Sequence, residues 1–553
     1  MSKVNVEALK AQSRGLRGSI APELDDPASA RVSDESAALL KFHGTYQQED
    51  RDERKAARDG GAEKPWSFMV RVKATGGRVP APLWSAVDDL AERHGNGTIR
   101  VTTRQGLQLH GVRKPDLKPV IADIVANLGS TLATCGDVVR NVVAPAWPYA
   151  HPAYAAARDA AAAISAEFAP RTGAYLEIWQ DGQAVHEAGG EDEPIYGATY
   201  LPRKFKIAVT VPGDNSVDLY TNDVGVVPVF ADDGTLVAYN LAAGGGLGMT
   251  HGKTTTFPRL ADHLGLVAPE RLLDAVRAIV VVQRDYGDRT DRKHARLKYL
   301  IADRGLGWFR SEVEREAGFA LQPWRELPAW DDPAKFGWHA QGEGGWFLGL
   351  YVASGRIKDE GERRLKSALR AIADRGYDLV ATPGQQVLVV DVPAGERETI
   401  DALLQEHGVE PPLSVPALRT RALACPALPT CGLALAESER ALPAILAAIE
   451  AELAAAGLPG ETIAIRMTGC PNGCTRPYMA EIGIVGQSAD RYQLYLGGSP
   501  ASTRLAKPWR EKVRSWEIAP LLAPLFVAFR NDRRVGESFG DWAARDVLAE
   551  VVL

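Results

Sequence analysis

The sequence predicts an α+β molecule made of a duplicated unit, with a site between its two halves. Three observations carry this expectation. A strand, helix, strand, strand order that starts at Trp66 returns from Trp346, roughly 280 residues later. A fainter repeat follows each copy, pairing a strand with a basic or cysteine-bearing end with a later strand that runs into glycines. Four of the chain's five cysteines stand in two short loops of the second half.

In the first copy, Ser67 to Lys73 alternates apolar and polar residues, the period of a half-buried strand. Gly76-Gly77 makes a turn, and Trp84, Val87, Leu90 and Ala91 recur at helical spacing. Strands follow at Thr98 to Thr103 and Leu107 to Val112. In the second copy Trp346 to Val352 replaces the first strand, and Gly355-Arg356-Ile357 echoes Gly77-Arg78-Val79. A helix from Glu362 to Arg375 and strands at Asp378 to Thr382 and Gln386 to Val392 complete it.

The fainter repeat sets YLPRKFK, a strand at Ile207 to Val211 and Val237 to Leu241 before AAGGG against three later segments. These are Ile463 to Met467, the Cys470 turn, and Tyr492 to Leu496 before Gly497-Gly498. Residues 1 to about 62 are polar, end in clustered charges, and read as an extended arm that wraps or docks. An acidic loop at 186–198 and a Pro, Gly, Trp and Asp-rich crossover at 321–345 mark linkers. The stretch 266–302 reads as helical and ends in the charged run Arg284 to Lys298. Between the cysteine pairs, Leu442, Ile445, Leu446, Ile449 and Leu453 predict a helix that Gly457-Leu-Pro-Gly460 stops.

A chain of 553 residues has room for three or four domains. Its 45% hydrophobic and 24% charged content is that of an ordinary globular protein. A net charge of -6 argues against a general nucleic-acid or membrane-surface binder. The N-terminus lacks the apolar core of a secretory signal, and no run is long and apolar enough for a membrane helix. Five cysteines without disulfide patterning point to the reducing cytoplasm.

The cysteines are spaced C-x5-C, at Cys425 and Cys431, and C-x3-C, at Cys470 and Cys474, both in turn-forming sequence. Four thiolates suit zinc or an iron–sulfur cluster. Zinc knuckles usually use C-x2-C or C-x4-C, which favours a [4Fe–4S] cluster over zinc here. The fifth, Cys135, reads as a packing thiol.

Cationic side chains gather at strand ends and turns of the first half: Arg71, Arg100, Arg104, Arg140, Arg203, Lys204 and Lys206. Any one alone reads as a solvated residue; the set reads as a pocket for a polyanion. Alternation turns Arg100 away from the core side of Ile99 and Val101. Lys204 and Lys206, two apart, point to one side of a strand, an arrangement that an anion would relieve. Gly244-Gly245-Gly246 could present backbone amides to a ligand. No nucleophile elbow, Walker loop or dinucleotide fingerprint stands out.

With the quartet and the cations side by side, the chain resembles the siroheme- and [4Fe–4S]-dependent sulfite and nitrite reductases, on the assimilatory sulfite-reducing side. The segments FHGTYQQEDRDER, RVTTRQGLQLHG, YLPRKFK, QRDYGDRTDRKHARLKY, CPALPTCGLALAESER and RMTGCPNGCTRPYMAEIG carry the likeness. It implies two ferredoxin-like half-domains plus two siroheme- and cluster-binding α/β domains. The expected division is an arm at 1–62, half-domains at 63–134 and 341–416, and cofactor domains at 135–340 and 417–553.

The resemblance further implies that Cys425, Cys431, Cys470 and Cys474 ligate the cluster, with Cys474 bridging to the siroheme iron. Arg100, Arg104, Gln108 and Arg203 become holders of the siroheme carboxylates, and Arg71, Arg140, Lys204 and Lys206 the substrate-binding cations. The implied reaction is reduction of sulfite to sulfide in assimilatory sulfur metabolism, with electrons from an NADPH-dependent flavoprotein or a ferredoxin. Nitrite-type relatives usually carry Asn at the second position of the Lys-x-Lys pair, so Lys206 favours sulfite over the alternative, nitrite reduction to ammonia. The alternative of another class is a non-catalytic iron–sulfur or zinc protein.

Overall fold

A computed structural model describes residues 4–171, 177–180, 183–187 and 193–549. In the first copy, strands Thr45–Glu49, Trp66–Val72, Leu107–Val112 and Ile99–Val101 form an antiparallel sheet. In the second, Gly337–Gly342, Gly345–Leu350, Val387–Pro393 and Leu379–Ala381 form its mate.

Each sheet is completed by a two-residue strand from the other copy. Arg356–Ile357 pairs with Arg100 and Ile99, and Arg78–Val79 pairs with Val380 and Leu379. An uncovered edge would leave backbone N–H and C=O groups unpaired, and the exchange covers one edge of each sheet. One apolar core then runs through both copies, with Val70, Leu90 and Leu109 from the first and Leu348, Leu369 and Val389 from the second. Each such side chain contributes roughly 1.5–3 kcal/mol on burial, against about 0.5–1.5 for a net hydrogen bond. The shared core therefore joins the copies more strongly than the exchanged strands do.

The fainter repeat is a second pair of sheets. One has strands Asp262–Val267, Leu236–Ala243, Val224–Phe230 and Ile207–Val209; the other has Leu423–Ala424, Ile465–Thr468, Ile482–Ser488, Arg491–Leu496 and Lys507–Val513. Helices Pro152–Glu167 and Leu272–Tyr286 cover the first, and Leu442–Ala455 and Ile518–Asp532 the second. The five apolar residues that predicted the helix between the cysteine pairs are all buried. Among the described residues no helix is long and apolar enough to cross a membrane.

Four readings are corrected. Residues 4–62 are not an extended arm: they include helices Val6–Gln12, Ile20–Asp25 and Asp34–Leu40 and the outer strand Thr45–Glu49, with Leu16, Leu39 and Phe42 in the core. Their apolar residues come in clusters too short to show a period. The stretch 266–302 is broken, with Leu272–Tyr286 ending at Gly287 and the charged residues looping before Leu297–Arg304. The second-copy helix starts at Leu365, because Asp359–Glu360 and Arg363–Arg364 form a small hairpin ahead of it. Of the acidic loop 186–198, residues 186 and 187 end strand Gln183–Glu187, and 188–192 lie outside the described residues.

Candidate active site

Strands Leu423–Ala424 and Ile465–Thr468 are neighbours and run parallel, so Cys425 and Cys470 leave the sheet at the same end. Gly469, between them, donates its N–H to Cys425 Sγ at 3.3 Å and accepts at its carbonyl from Leu435 and Ala436. A Cβ at Gly469 would stand 2.5 Å from the Ala436 carbonyl and 2.6 Å from Ala427 Cβ, so only glycine fits this crossing. Cys431 is fixed by its N–H bond to the Ala427 carbonyl.

Cys425 and Cys470 are buried, Cys431 is half-buried and Cys474 is exposed. Burial, and then the neighbouring Cys474, push the thiols of Cys425 and Cys470 up to about 12 and that of Cys431 up to about 11. Cys425, Cys431 and Cys470 thus resist ionisation unless a cationic centre sits beside them. Among the described residues no three Cys, His, Asp or Glu side chains stand close enough to hold a single metal ion. A four-iron cubane presents a separate iron to each of four thiolates.

Cys474 borders a pocket of about 420 Å³ between the halves, lined also by Thr103, Arg104, Lys206, Asn222 and Gly248. The first half grips the second here. Thr103 Oγ1 donates to the Cys474 carbonyl at 2.9 Å, Arg476 Nη1 donates to the Thr103 carbonyl at 3.1 Å, and Met249 N–H donates to the Pro471 carbonyl.

The cations converge on this region. Arg104 donates to Asn222 Oδ1 at 2.9 Å and to the Asn141 carbonyl at 2.6 Å, and its Nε is buried without a partner. Burial, then Arg140, lower its pKa to about 9. Burial, then Arg203 and Arg140, bring Lys204 down to about 7, and Cys474 acts on it in the opposite sense. Lys206 falls well below its ordinary value through burial and then through Lys204. Asp223 is taken by Arg296, at 2.8 and 3.0 Å. Buried cations in such excess cost several kcal/mol each unless an anion completes them. The pocket therefore fits a ligand rich in carboxylates and a small oxyanion.

Arg71 and Arg140 stand together around Cys135 and Tyr46. Arg71 Nη1 donates to Cys135 Sγ at 2.8 Å, and the Gln108 carboxamide oxygen, in the orientation that satisfies both groups, accepts from Arg71 Nη2 at 2.6 Å. Arg140 holds the Gly136 carbonyl through Nε and Nη2. Cys135 is fully buried, as expected, and is also an acceptor for a site cation. Arg203 lies 3.9 Å from Asp137. Arg100 is almost wholly buried and already committed, to Glu439 and to the Ala424 carbonyl at 2.6 Å, so it braces the Cys425 strand.

Sequence reasoning missed Glu439, Asn222, Arg296, Tyr46 and Arg476. Glu439 sits in the ESER segment among other charges, where only its position between two arginines marks it out.

A family model described as the nitrite and sulphite reductase 4Fe-4S domain matches residues 160–321, and one described as the nitrite/sulfite reductase ferredoxin-like half domain matches residues 62–127. The chain is 49% identical to a sulfite reductase [ferredoxin] of Synechococcus elongatus, over 98% of this chain and 89% of that protein. It is 48% identical to a sulfite reductase [NADPH] hemoprotein beta-component of Methylobacterium nodulans, over 98% and 90%, and 45% identical to that of Myxococcus xanthus, over 98% and 96%. The chain belongs to the nitrite and sulfite reductase family.

The fold agrees with that of the Mycobacterium tuberculosis NirA protein, at a TM-score of 0.79 and 24% identity, over 98% of this chain and 96% of the other. In this reductase both matched models fall on the first copy, while the cysteine quartet lies in the second. Two copies that share a fold have thus divided the work, one supplying most cations and the other the thiols.

Proposed function

We propose that this chain catalyses the six-electron reduction of sulfite to sulfide with siroheme and a [4Fe–4S] cluster, and that Cys474 would be the cysteine placed to serve both groups. The observation that carries the reading is the buried excess of cations facing the one cysteine that borders the pocket. The relatives named as sulfite reductases support sulfite as the substrate.

Cys425, Cys431, Cys470 and Cys474 would hold the cluster, and Arg104, Gln108 and Arg203 the siroheme carboxylates. Arg100 acts one step back, fixing the Ala424 carbonyl beside Cys425. When bound, these groups supply single electrons and a Lewis-acidic iron. Arg71, Arg140, Lys204 and Lys206 neutralise the substrate oxygens and stabilise charge that develops on them. Lys204, brought down to about 7 by burial and by Arg203 and Arg140, regains its proton when an anion arrives beside it. It then holds that proton for a departing oxygen. In net terms hydrogensulfite takes up six electrons and six protons and leaves as hydrosulfide and three waters.

Electrons come from a partner protein, a ferredoxin or an NADPH-dependent flavoprotein; the relatives are named for ferredoxin and for NADPH. The cytoplasm, which keeps thiols reduced, is the compartment this chemistry suits. The test is turnover of sulfite and of nitrite by the loaded enzyme with an artificial one-electron donor. Sulfite is expected to show the larger kcat/KM with sulfide as product; a large preference for nitrite would overturn the assignment.

A further inference from the structure

The duplication gives the pocket beside Cys474 a mate. Asp218 and Arg476 are both left-handed residues that open matched single-turn helices, Leu219–Thr221 and Pro477–Met479, each followed by a matched strand. That correspondence sets Ser216 opposite Cys474. Gln105 and Gln385 are likewise left-handed and sit in matched turns, which sets Arg104 opposite Gly384. Strand pairing sets Arg71 opposite Gly349 and Lys206 opposite Ala464.

The mate pocket exists. It is an open cleft of about 630 Å³, solvent at its mouth included, and is lined by Ser216, Pro383, Gly384, Ala464, Arg466 and Arg476, among others. The counterparts of Arg71, Arg104 and Lys206 are uncharged and that of Cys474 is a serine, so it cannot repeat the first pocket's chemistry.

It has a charge cluster of its own. Asp218 accepts from Arg466 Nη1 at 2.6 Å and pairs with Arg476 Nε, its own counterpart across the two halves. Arg466 is 5% exposed, and its Nε has no partner. Arg421 and Lys335 also line the pocket. The crossover segment between the copies enters here. Asp331 is pinned by its N–H bond to the Gly213 carbonyl at 2.8 Å and by accepting from Asn215 N–H at 2.6 Å. The next residue, Asp332, then places its carboxylate 3.6 Å from Arg466 Nη2, and Arg421 Nη2 donates to the Asp332 carbonyl at 3.0 Å.

We propose that this second pocket is a binding site for a small carboxylate, and that in the folded chain its resident occupant is the chain's own Asp332. Three guanidinium groups face two carboxylates, Asp218 and Asp332. Removing the second leaves buried positive charge beside space that its side chain vacates, the condition under which a carboxylate from solvent binds. The crossover thereby closes a pocket that the duplication opened.

The test is chemical rescue, with acetate as the probe, on wild-type and Asp332→Ala enzyme carrying its cofactors. In chloride, Asp332→Ala is expected to melt about 2–4 °C below wild type. Acetate at equal ionic strength is expected to restore most of that loss and to leave wild type unmoved. Adding Arg466→Met to Asp332→Ala should abolish the acetate response. Should Asp332→Ala not fold, Asp332→Asn carries the same comparison with a smaller shift. An unchanged Tm in the variant, or equal acetate shifts in variant and wild type, would overturn the proposal. Either result leaves the sulfite chemistry of the first pocket untouched.

Discussion

Glu439 is the charge on which the two copies and the cysteine loop meet. Its carboxylate accepts from Arg356 Nε at 2.7 Å and Nη2 at 3.0 Å and pairs with Arg100, while its N–H donates to the Cys425 carbonyl at 3.1 Å. The side chains of Arg100, Arg356 and Glu439 are 1%, 15% and 17% exposed. Glu439→Gln keeps the volume and strands two guanidinium groups. Removing one partner of a buried pair costs about 3–5 kcal/mol, and the residual exposure of Glu439 and Arg356 sets the lower end, about 3 kcal/mol. At about 2–4 °C per kcal/mol for a large domain, Tm should fall by roughly 6–12 °C. Calorimetry reads that fall, and visible absorption reads the accompanying loss of cluster.

The pH dependence has a definite sign. Burial raises the Glu439 pKa, but Arg100 and Arg356 outweigh it and the net shift is downward. Stability from a depressed carboxylate is present above its unfolded value and lost as pH falls through the folded one, so the gap between variant and wild type should close in acid, below about pH 4. Arg100→Met combined with Glu439→Gln should cost less than the sum of the two. A Glu439→Gln protein that melts within about 1 °C of wild type at neutral pH would refute the reasoning.

Lys206→Asn should lower kcat/KM for sulfite about tenfold to a hundredfold, the worth of a charge-assisted hydrogen bond, with both cofactors retained in the absorption spectrum. Gly469→Ala drives a Cβ against the Ala436 carbonyl, so about 1–3 kcal/mol of stability should be lost in urea unfolding and the cluster should bleach faster. In cofactor-free protein, Lys204 at about 7 and Lys298 at about 6, each lowered first by burial from 10.5, bind fewer protons folded than unfolded. Stability should therefore rise with pH from about 7 towards 10, by about 1.4 kcal/mol per unit for each group; a flat or falling profile in urea would exclude that.

The sequence carried the duplication because matched strands and turns keep their spacing, as between Thr102-Thr-Arg-Gln-Gly106 and Thr382-Pro-Gly-Gln-Gln386. It carried the quartet because cysteine is rare in the chain and these four sit in turns. The exchange of Arg78–Val79 for Arg356–Ile357 was not legible, since two residues show no period. Nor was the commitment of Arg100 to Glu439, because alternation gives the face of a strand but not what packs against it. The second pocket needed the structure for the same reason: Asp332 lies in an aperiodic crossover, and only folding brings it to Arg466.

The central claim is that Cys474 is the point at which the cysteine quartet meets the cationic pocket. Mössbauer spectra of the loaded enzyme, with and without Cys474→Ala, test it most directly. Magnetic coupling between heme iron and cluster in the wild type, lost in the variant, is the predicted result. Independent iron signals in the wild type would contradict it.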